Sequence, residues 1–253
     1  GGIWREVIMT VHELAGKPAP KHMLTPIPGL IASYYTDEPK GPVSFGTSGH
    51  RGSSLKGAFN EMHISATSQA ICEYRMSRGI RGPLFLGFDT HALSVPAFRT
   101  ALEVFAANGV QTVIHEGNEF TPTPVISFLI LEHNREYGDR TGDGVVITPS
   151  HNPPEDGGFK YNPPHGGPAD VDVTGWIEQR ANQIINAENK EVNRIPYEKA
   201  LRVDTTHYRD FITPFVLSFS QVIDMDAIRS AGIRMGADPM GGSGVHYLSL
   251  IHI

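Results

Sequence analysis

Gly144-Val145-Val146-Ile147-Thr148-Pro149-Ser150-His151-Asn152-Pro153-Pro154-Glu155-Asp156-Gly157-Gly158-Phe159-Lys160-Tyr161-Asn162 is the stretch on which the reading of this chain turns. Its first five residues are rich in β-branched side chains, the composition of a buried strand. Proline at 149, 153 and 154 excludes a helix after it and stiffens the loop, which is thereby preorganised at reduced entropic cost. Ser150 therefore falls at the lip of a sheet. A serine there is a nucleophile or a phosphate carrier. It is not the α/β-hydrolase elbow, because Gly-x-Ser-x-Gly is missing. His151 adjoins it in sequence, but neighbouring side chains on an extended chain point apart, so a simple serine–histidine dyad is not expected.

Outward from this stretch, strand-like and helical patterns alternate. Leu84 to Phe88 reads as a buried strand closing on Asp89, and Ser94 is expected to cap a helix that runs to Asn108 and stops at Gly109. Val110 to His115 is the next strand and Pro122 to His133 the next helix. A helix from Asn60 to Met76 precedes them, with Ile64, Ile71 and Tyr74 broadly on one face. Strands separated by crossover helices imply an α/β fold: a mainly parallel sheet with helices on both faces, in three α/β/α layers. Ligands gather at the carboxyl ends of the strands in such folds, where the unusual loops of this chain fall.

Further along, Thr174 to Asn189 is helical, and Asn193 to Asp204 reads as a linker. Phe211, Phe215 and Phe219 then lie at helical spacing, followed by a strand at Ile233 to Ala237 and a glycine-rich turn at Asp238 to Gly244. One strand and a stub of helix cannot bury their own apolar faces. Residues 9–205 are thus expected to be one domain, and 206–253 the truncated start of a second, similar one.

A second loop stands out: Phe45-Gly46-Thr47-Ser48-Gly49-His50-Arg51-Gly52. Its glycines and hydroxyls allow close backbone approach to an anion, and Arg51 offers a bidentate fork for phosphate. It is neither a Walker loop nor a dinucleotide fingerprint, because no Gly-Lys-Ser/Thr closes it and its glycines are spaced Gly-x-x-Gly-x-x-Gly. A polar turn ahead of a helix is the plain alternative.

The two loops together resemble the α-D-phosphohexomutase family. Lys160-Tyr161-Asn162-Pro163-Pro164 and Gly166-Gly167-Pro168-Ala169-Asp170 extend the likeness to its bacterial α-D-glucose phosphoglucomutase branch, from about Met9 to Tyr247. The resemblance implies an isomerase-class phosphotransferase in which Ser150 carries the phosphate. It would interconvert glucose 1-phosphate and glucose 6-phosphate through glucose 1,6-bisphosphate. Arg51 and Lys160 would offset the charge on the transferring phosphoryl, and His151 would position the serine or the substrate. Thr47, Ser48 and His50 would line the pocket. The resemblance also implies Mg2+, held by the Ser150 phosphate and by aspartates that are not found in this sequence; Asp170 and Asp172 read as surface carboxylates. The sugar-recognition and phosphate-clamping loops are also missing, so the fragment is expected to be inactive by itself. Mannose or glucosamine phosphates are the alternative substrates, and a non-catalytic phosphosugar-binding or protein-interaction fragment the alternative class.

Composition is that of an ordinary soluble globular protein: 253 residues, 40% hydrophobic, 19% charged, with a formal net charge of -6. No basic stripe offsets that charge, so no nucleic-acid or membrane-surface partner is expected, only a small phosphosugar. Cys72 is the single cysteine, no apolar run is long enough to span a bilayer, and a cytoplasmic location is expected. No oligomeric state is implied. His63, His91, His115, His133 and His207 show no metal-ligand spacing and are expected at the surface or half-buried. Residues 1–8, ahead of Met9, are expected to be a leader foreign to the domain, and 248–253 departs from the family pattern.

Overall fold

The computed structural model describes residues 11–46 and 49–251. The expectations placed on residues 1–8, Met9, Thr47, Ser48, His252 and Ile253 lie outside the described residues. In chain order the elements are α1 (Ile27–Thr36), β1 (His50–Ser53), α2 (Glu61–Ser77), β2 (Leu84–Phe88), α3 (Ser94–Ala107), β3 (Thr112–His115), α4 (Thr123–Glu136), β4 (Asp143–Ile147), β5 (Asp156–Asn162), α5 (Val171–Asn186), α6 (Tyr197–Ala200), β6 (Thr206–Arg209), α7 (Ile212–Leu217), α8 (Met225–Ser230) and α9 (Val245–Ile251).

The sheet order is β1-β5-β4-β2-β3-β6. From β4 to β6 every pair is parallel, whereas β5 runs antiparallel to both β4 and β1. The α/β architecture is as expected, but the sheet is mixed at one edge.

Strand alternation explains the two cores. Leu84, Leu86 and Phe88 of β2 and Val145 and Ile147 of β4 face α2, α3 and α5, in a cluster with Ile64, Phe98, Phe105 and Ile177. The intervening Phe85 and Val146 face the other way, onto Val125, Ile126, Leu129 and Ile130 of α4. Burying the two faces this way gives the three layers.

Across α2 and β4, Arg75 pairs with the fully buried Asp143, whose other oxygen accepts the Tyr161 hydroxyl at 2.6 Å. Burial pushes the Asp143 carboxyl up, and the Arg75 guanidinium opposes that shift. A buried pair of this kind is costly to break, because removing either partner strands the other charge.

Several sequence expectations are corrected. Ser94 is the first residue of α3 and caps nothing; its hydroxyl donates to Asp89 Oδ1 at 2.6 Å instead. The expected linker after Asn193 holds α6, and Ile195, Tyr197, Leu201 and Val203 pack against the larger core. Thr206–Arg209, placed beyond the first domain, is the sixth strand, so the sheet runs past the boundary expected at 205. As an edge strand it carries exposed His207 and Tyr208, which hid it from a search for apolar runs. Phe211 precedes α7 and is buried against His115, whereas Phe215 and Phe219 stack edge-on beyond it. Ile233–Ala237 forms no strand: no ladder pairs it, and Ile233 and Met235 are 64% and 61% exposed. His63 and His115 are buried rather than superficial. Among the described residues no helix is long and apolar enough to cross a membrane.

Candidate active site

The carboxyl ends of β2 and β4 lie side by side, with Phe88 paired to Ile147. The chain leaves β4 through Thr148 and Pro149 and turns at Ser150, which is exposed. Ser150 has φ 64°, a left-handed conformation that costs an L-residue with a Cβ roughly 1–2 kcal/mol. Its amide is tied down, donating to Thr148 Oγ1 at 2.9 Å.

Lys160 comes to the serine from β5, its Nζ donating to Ser150 Oγ at 2.6 Å. The loop crosses β5 so closely that a Cβ on Gly158 would lie 2.1 Å from the Thr148 carbonyl oxygen. Glycine is required there so that strand and loop can touch, and this contact sets the serine over the lysine. Gly49, with φ 127°, brings the other loop equally close; a Cβ there would lie 2.6 Å from Phe159 O and 2.7 Å from Lys160 Cγ.

Arg51 stands on β1 opposite Gly158, and its charge reaches Lys160. Burial lowers the Lys160 ammonium from its ordinary value, Arg51 lowers it further, and Asp89 opposes both. A dianionic group on Ser150 would reverse that balance. The structure thus brings Ser150, Lys160 and Arg51 into one place.

The other expected site residues fare differently. His151 is exposed and makes no hydrogen bond among the described residues. Thr47 and Ser48 lie outside the described residues. His50 does not line the pocket. It is 3% exposed, its ring stacked on Phe59 and set against His63 with centroids 4.9 Å apart. The cause is strand alternation: on β1, His50 and Arg51 must point to opposite faces. Burial, then the neighbouring His63, lowers the His50 pKa from 6.5 to about 4, so it adds no positive charge to the site at neutral pH.

That depression has a measurable consequence. Between pH 6.5 and 4 the unfolded chain binds a proton that folded His50 refuses. The stability is therefore complete above 6.5 and is lost as pH falls through 4, to an extent of at most about 3 kcal/mol. Burial shifts His63 the same way, and its ring is held neutral, Nδ1 accepting from Asn60 N–H and Nε2–H donating to Gly41 O. Urea unfolding of this chain at pH 7 and pH 4.5 should show a clearly smaller difference for His50→Gln than for the wild type. An equal difference would mean that His50 does not titrate as its burial demands.

Asp89 and His91, which the sequence places at a strand end that could face the pocket or equally form a helix-entry turn, complete the site together with Thr148. Asp89, just past β2, accepts from Ser94 Oγ and His91 N–H on Oδ1 and from Thr148 Oγ1 on Oδ2. His91 reaches from Asp89 Oδ2 at 2.8 Å to Asn152 O at 3.2 Å. The only signal for them was an acid at the carboxyl end of one parallel strand beside the strand that bears the serine. A groove of about 440 Å³ is lined by His91, Asn152 and Pro154 of this network together with Thr25 and Ile27.

Among the described residues no three of His, Cys, Asp and Glu converge in a group that could hold a metal ion. The charged group that touches Ser150 is the Lys160 ammonium, and the Asp89 carboxylate is already occupied by hydrogen-bond donors. These side chains do not form a metal site by themselves.

The site is thus an α/β/α domain with an exposed serine set against a lysine at the carboxyl ends of its strands. The family described as phosphoglucomutase/phosphomannomutase, alpha/beta/alpha domain I, matches residues 42–188, and the chain belongs to it. A phosphoglucomutase of Komagataeibacter xylinus is 53% identical over 243 residues, covering 94% of this chain and 44% of its own length. Phosphoglucomutase 1 of Saccharomyces cerevisiae is 30% identical over 68% of this chain and 30% of its own length. The chain thus spans less than half of these curated relatives. Among solved structures, a putative phosphomannomutase from Thermus thermophilus superposes with a TM-score of 0.59 at 25% identity, over 74% of this chain and 37% of its own. The open form of the phosphoglucomutase parafusin from Paramecium has a TM-score of 0.70 at 19% identity, over 85% of this chain and 42% of its own, a likeness of fold alone.

Proposed function

We propose that this chain is the serine-bearing part of a phosphoglucomutase, and that Ser150 carries the phosphoryl group exchanged between glucose 1-phosphate and glucose 6-phosphate. The observation that carries this reading is the 2.6 Å contact of Lys160 Nζ with Ser150 Oγ, made to an exposed serine on left-handed backbone. Strain of that kind persists where the surroundings over-determine it, and it collects at sites of chemistry. The family match leaves glucose and mannose open, and the 53% identical phosphoglucomutase supports glucose as the sugar.

In this reading the phosphoserine O–P bond breaks as the sugar hydroxyl attacks phosphorus, and Ser150 Oγ leaves beside Lys160 as a hydroxyl, the proton given up by the sugar oxygen balancing the one it gains. Glucose 1,6-bisphosphate then turns over and returns its other phosphoryl to Oγ. Lys160 and Arg51 offset the charge on the transferring group, and His151, exposed beside the serine, positions the substrate. Thr47 and Ser48 would line the same pocket. Of the described residues only the Ser150 phosphate would be offered to the Mg2+ that the family resemblance implies; its carboxylates would come from elsewhere. Residues beyond Arg209 would lead into a second domain, and the protein would work in the cytoplasm.

The test is phosphoenzyme formation. Incubating the full-length protein with glucose 1,6-bisphosphate and Mg2+ should add the mass of one phosphoryl group, and peptide mapping should place it on Ser150. Turnover of glucose 1-phosphate with the phosphate on another residue, or with none, would overturn the assignment.

A further inference from the structure

Asp89 takes no place in the phosphoryl chemistry just described, yet it is 8% exposed and accepts four hydrogen bonds from three residues. Two of those residues lead directly to the serine. Thr148 donates its hydroxyl proton to Asp89 Oδ2 at 2.6 Å, and the same oxygen of Thr148 accepts the Ser150 amide at 2.9 Å. His91 bridges from Asp89 Oδ2 to the carbonyl of Asn152, two residues past the serine. Asn152 is fixed in turn, its Nδ2 donating to Asp156 Oδ2 at 3.0 Å at the start of β5.

The chemistry of the His91 partners sets its protonation. A carbonyl oxygen only accepts, and a carboxylate holding hydroxyl and amide donors also accepts. Both ring nitrogens must then carry a proton, which makes His91 an imidazolium paired with Asp89. The charged groups acting on the ring are Asp89 just before it and Asp156 on β5, both carboxylates, and both favour the cation. Asp89 is in turn held ionised: the donors from His91, Ser94 and Thr148 outweigh its burial and lower its pKa.

We propose that Asp89 is a positioning residue: through Thr148 on one side and a doubly protonated His91 on the other, it holds the Ser150 turn in its left-handed shape. The catalytic meaning of this strap rests on Ser150 being the phosphoryl carrier. The strap supplies orientation rather than chemistry. Releasing it lets Ser150 relax out of the left-handed region and away from Lys160, a misplacement of the kind that costs roughly 10–100-fold in rate.

The strap is read first without activity. In ring-nitrogen spectra of this chain at about pH 7, where an ordinary histidine is mostly neutral, His91 should show two protonated nitrogens. In Thr148→Val the Ser150 amide should exchange with solvent at least about tenfold faster, with Thr148→Ser restoring the slow rate and His91→Gln, which keeps Thr148, giving an intermediate one. A neutral His91 ring, or unchanged exchange in both Thr148→Val and His91→Gln, overturns the proposal. In the full-length protein, Thr148→Val should lower kcat about 10–100-fold with KM within about twofold, and Thr148→Ser should recover most of it. A kcat within about twofold of wild type in Thr148→Val despite a loosened amide would remove the catalytic role and overturn the proposal as stated. If the wild-type protein never phosphorylates Ser150, the mutase reading fails by itself, and the ring and exchange results still decide whether Asp89 holds the turn.

Discussion

Ser150→Ala in the full-length protein should leave no phosphoenzyme and should lower the interconversion of glucose 1-phosphate and glucose 6-phosphate by several orders of magnitude. The reason is covalent: alanine has no oxygen to take the phosphoryl, so the two-step route through an enzyme-bound intermediate is closed. Bound sugar phosphate would still meet Lys160 and Arg51, so KM or inhibitor binding should change far less than turnover. The fold should hold, because Ser150 is exposed and its side chain packs against nothing in either core. The measurement is a coupled mutase assay with glucose 1,6-bisphosphate present, alongside intact mass. Near wild-type turnover in Ser150→Ala would remove the serine from the mechanism.

Lys160→Met should cost on the order of 10²–10³-fold in turnover, the size expected when one preorganised charge beside the reacting group is lost. Methionine keeps much of the lysine stem, which lies against Gly49, and deletes only the ammonium that touches Ser150 Oγ at 2.6 Å. The melting temperature should move by no more than a few degrees, since the lysine is only half-buried and already held below its ordinary pKa. Lys160→Arg should recover part of the loss by restoring charge without the same point geometry. The analogous neutralisation of Arg51 should have a smaller effect in the same direction. A large drop in stability with normal specific activity would make Lys160 a structural residue.

The parts of the fold legible in the sequence were those with a strong apolar period. β2, β3 and β4 and the helices between them alternate cleanly, and each lies within a few residues of its expected place. Ser150 was legible by place, because the prolines around it exclude a helix past β4, but not by backbone: residues 150–151 were read as extended and form a turn, with Ser150 at φ 64°. The antiparallel β5 was not. It opens with Asp156, Gly157 and Gly158, which argue against a strand unless one knows that Thr148 packs over Gly158. Reading those residues as loop left the antiparallel edge of a mainly parallel sheet unread and hid the element that delivers Lys160. His50 was misread for a related reason: without β1 as a strand, nothing told it apart from Arg51. Asp89 and Thr148 were given no role because a helix-entry turn explained the first as well as a pocket did, and only the pairing of β2 with β4 joins them.

Ser150 sits on backbone that suits glycine, and under the proposed function the chain accepts that mismatch for the sake of a hydroxyl. Ser150→Gly should therefore relieve about 1 kcal/mol of folded-state strain, set against the greater freedom glycine gives the unfolded chain, while deleting the oxygen. A thermostability screen scored on melting temperature alone would have no reason to discard that change. Any such screen of this protein needs a phosphate readout beside it, because at residue 150 durability and chemistry select opposite residues.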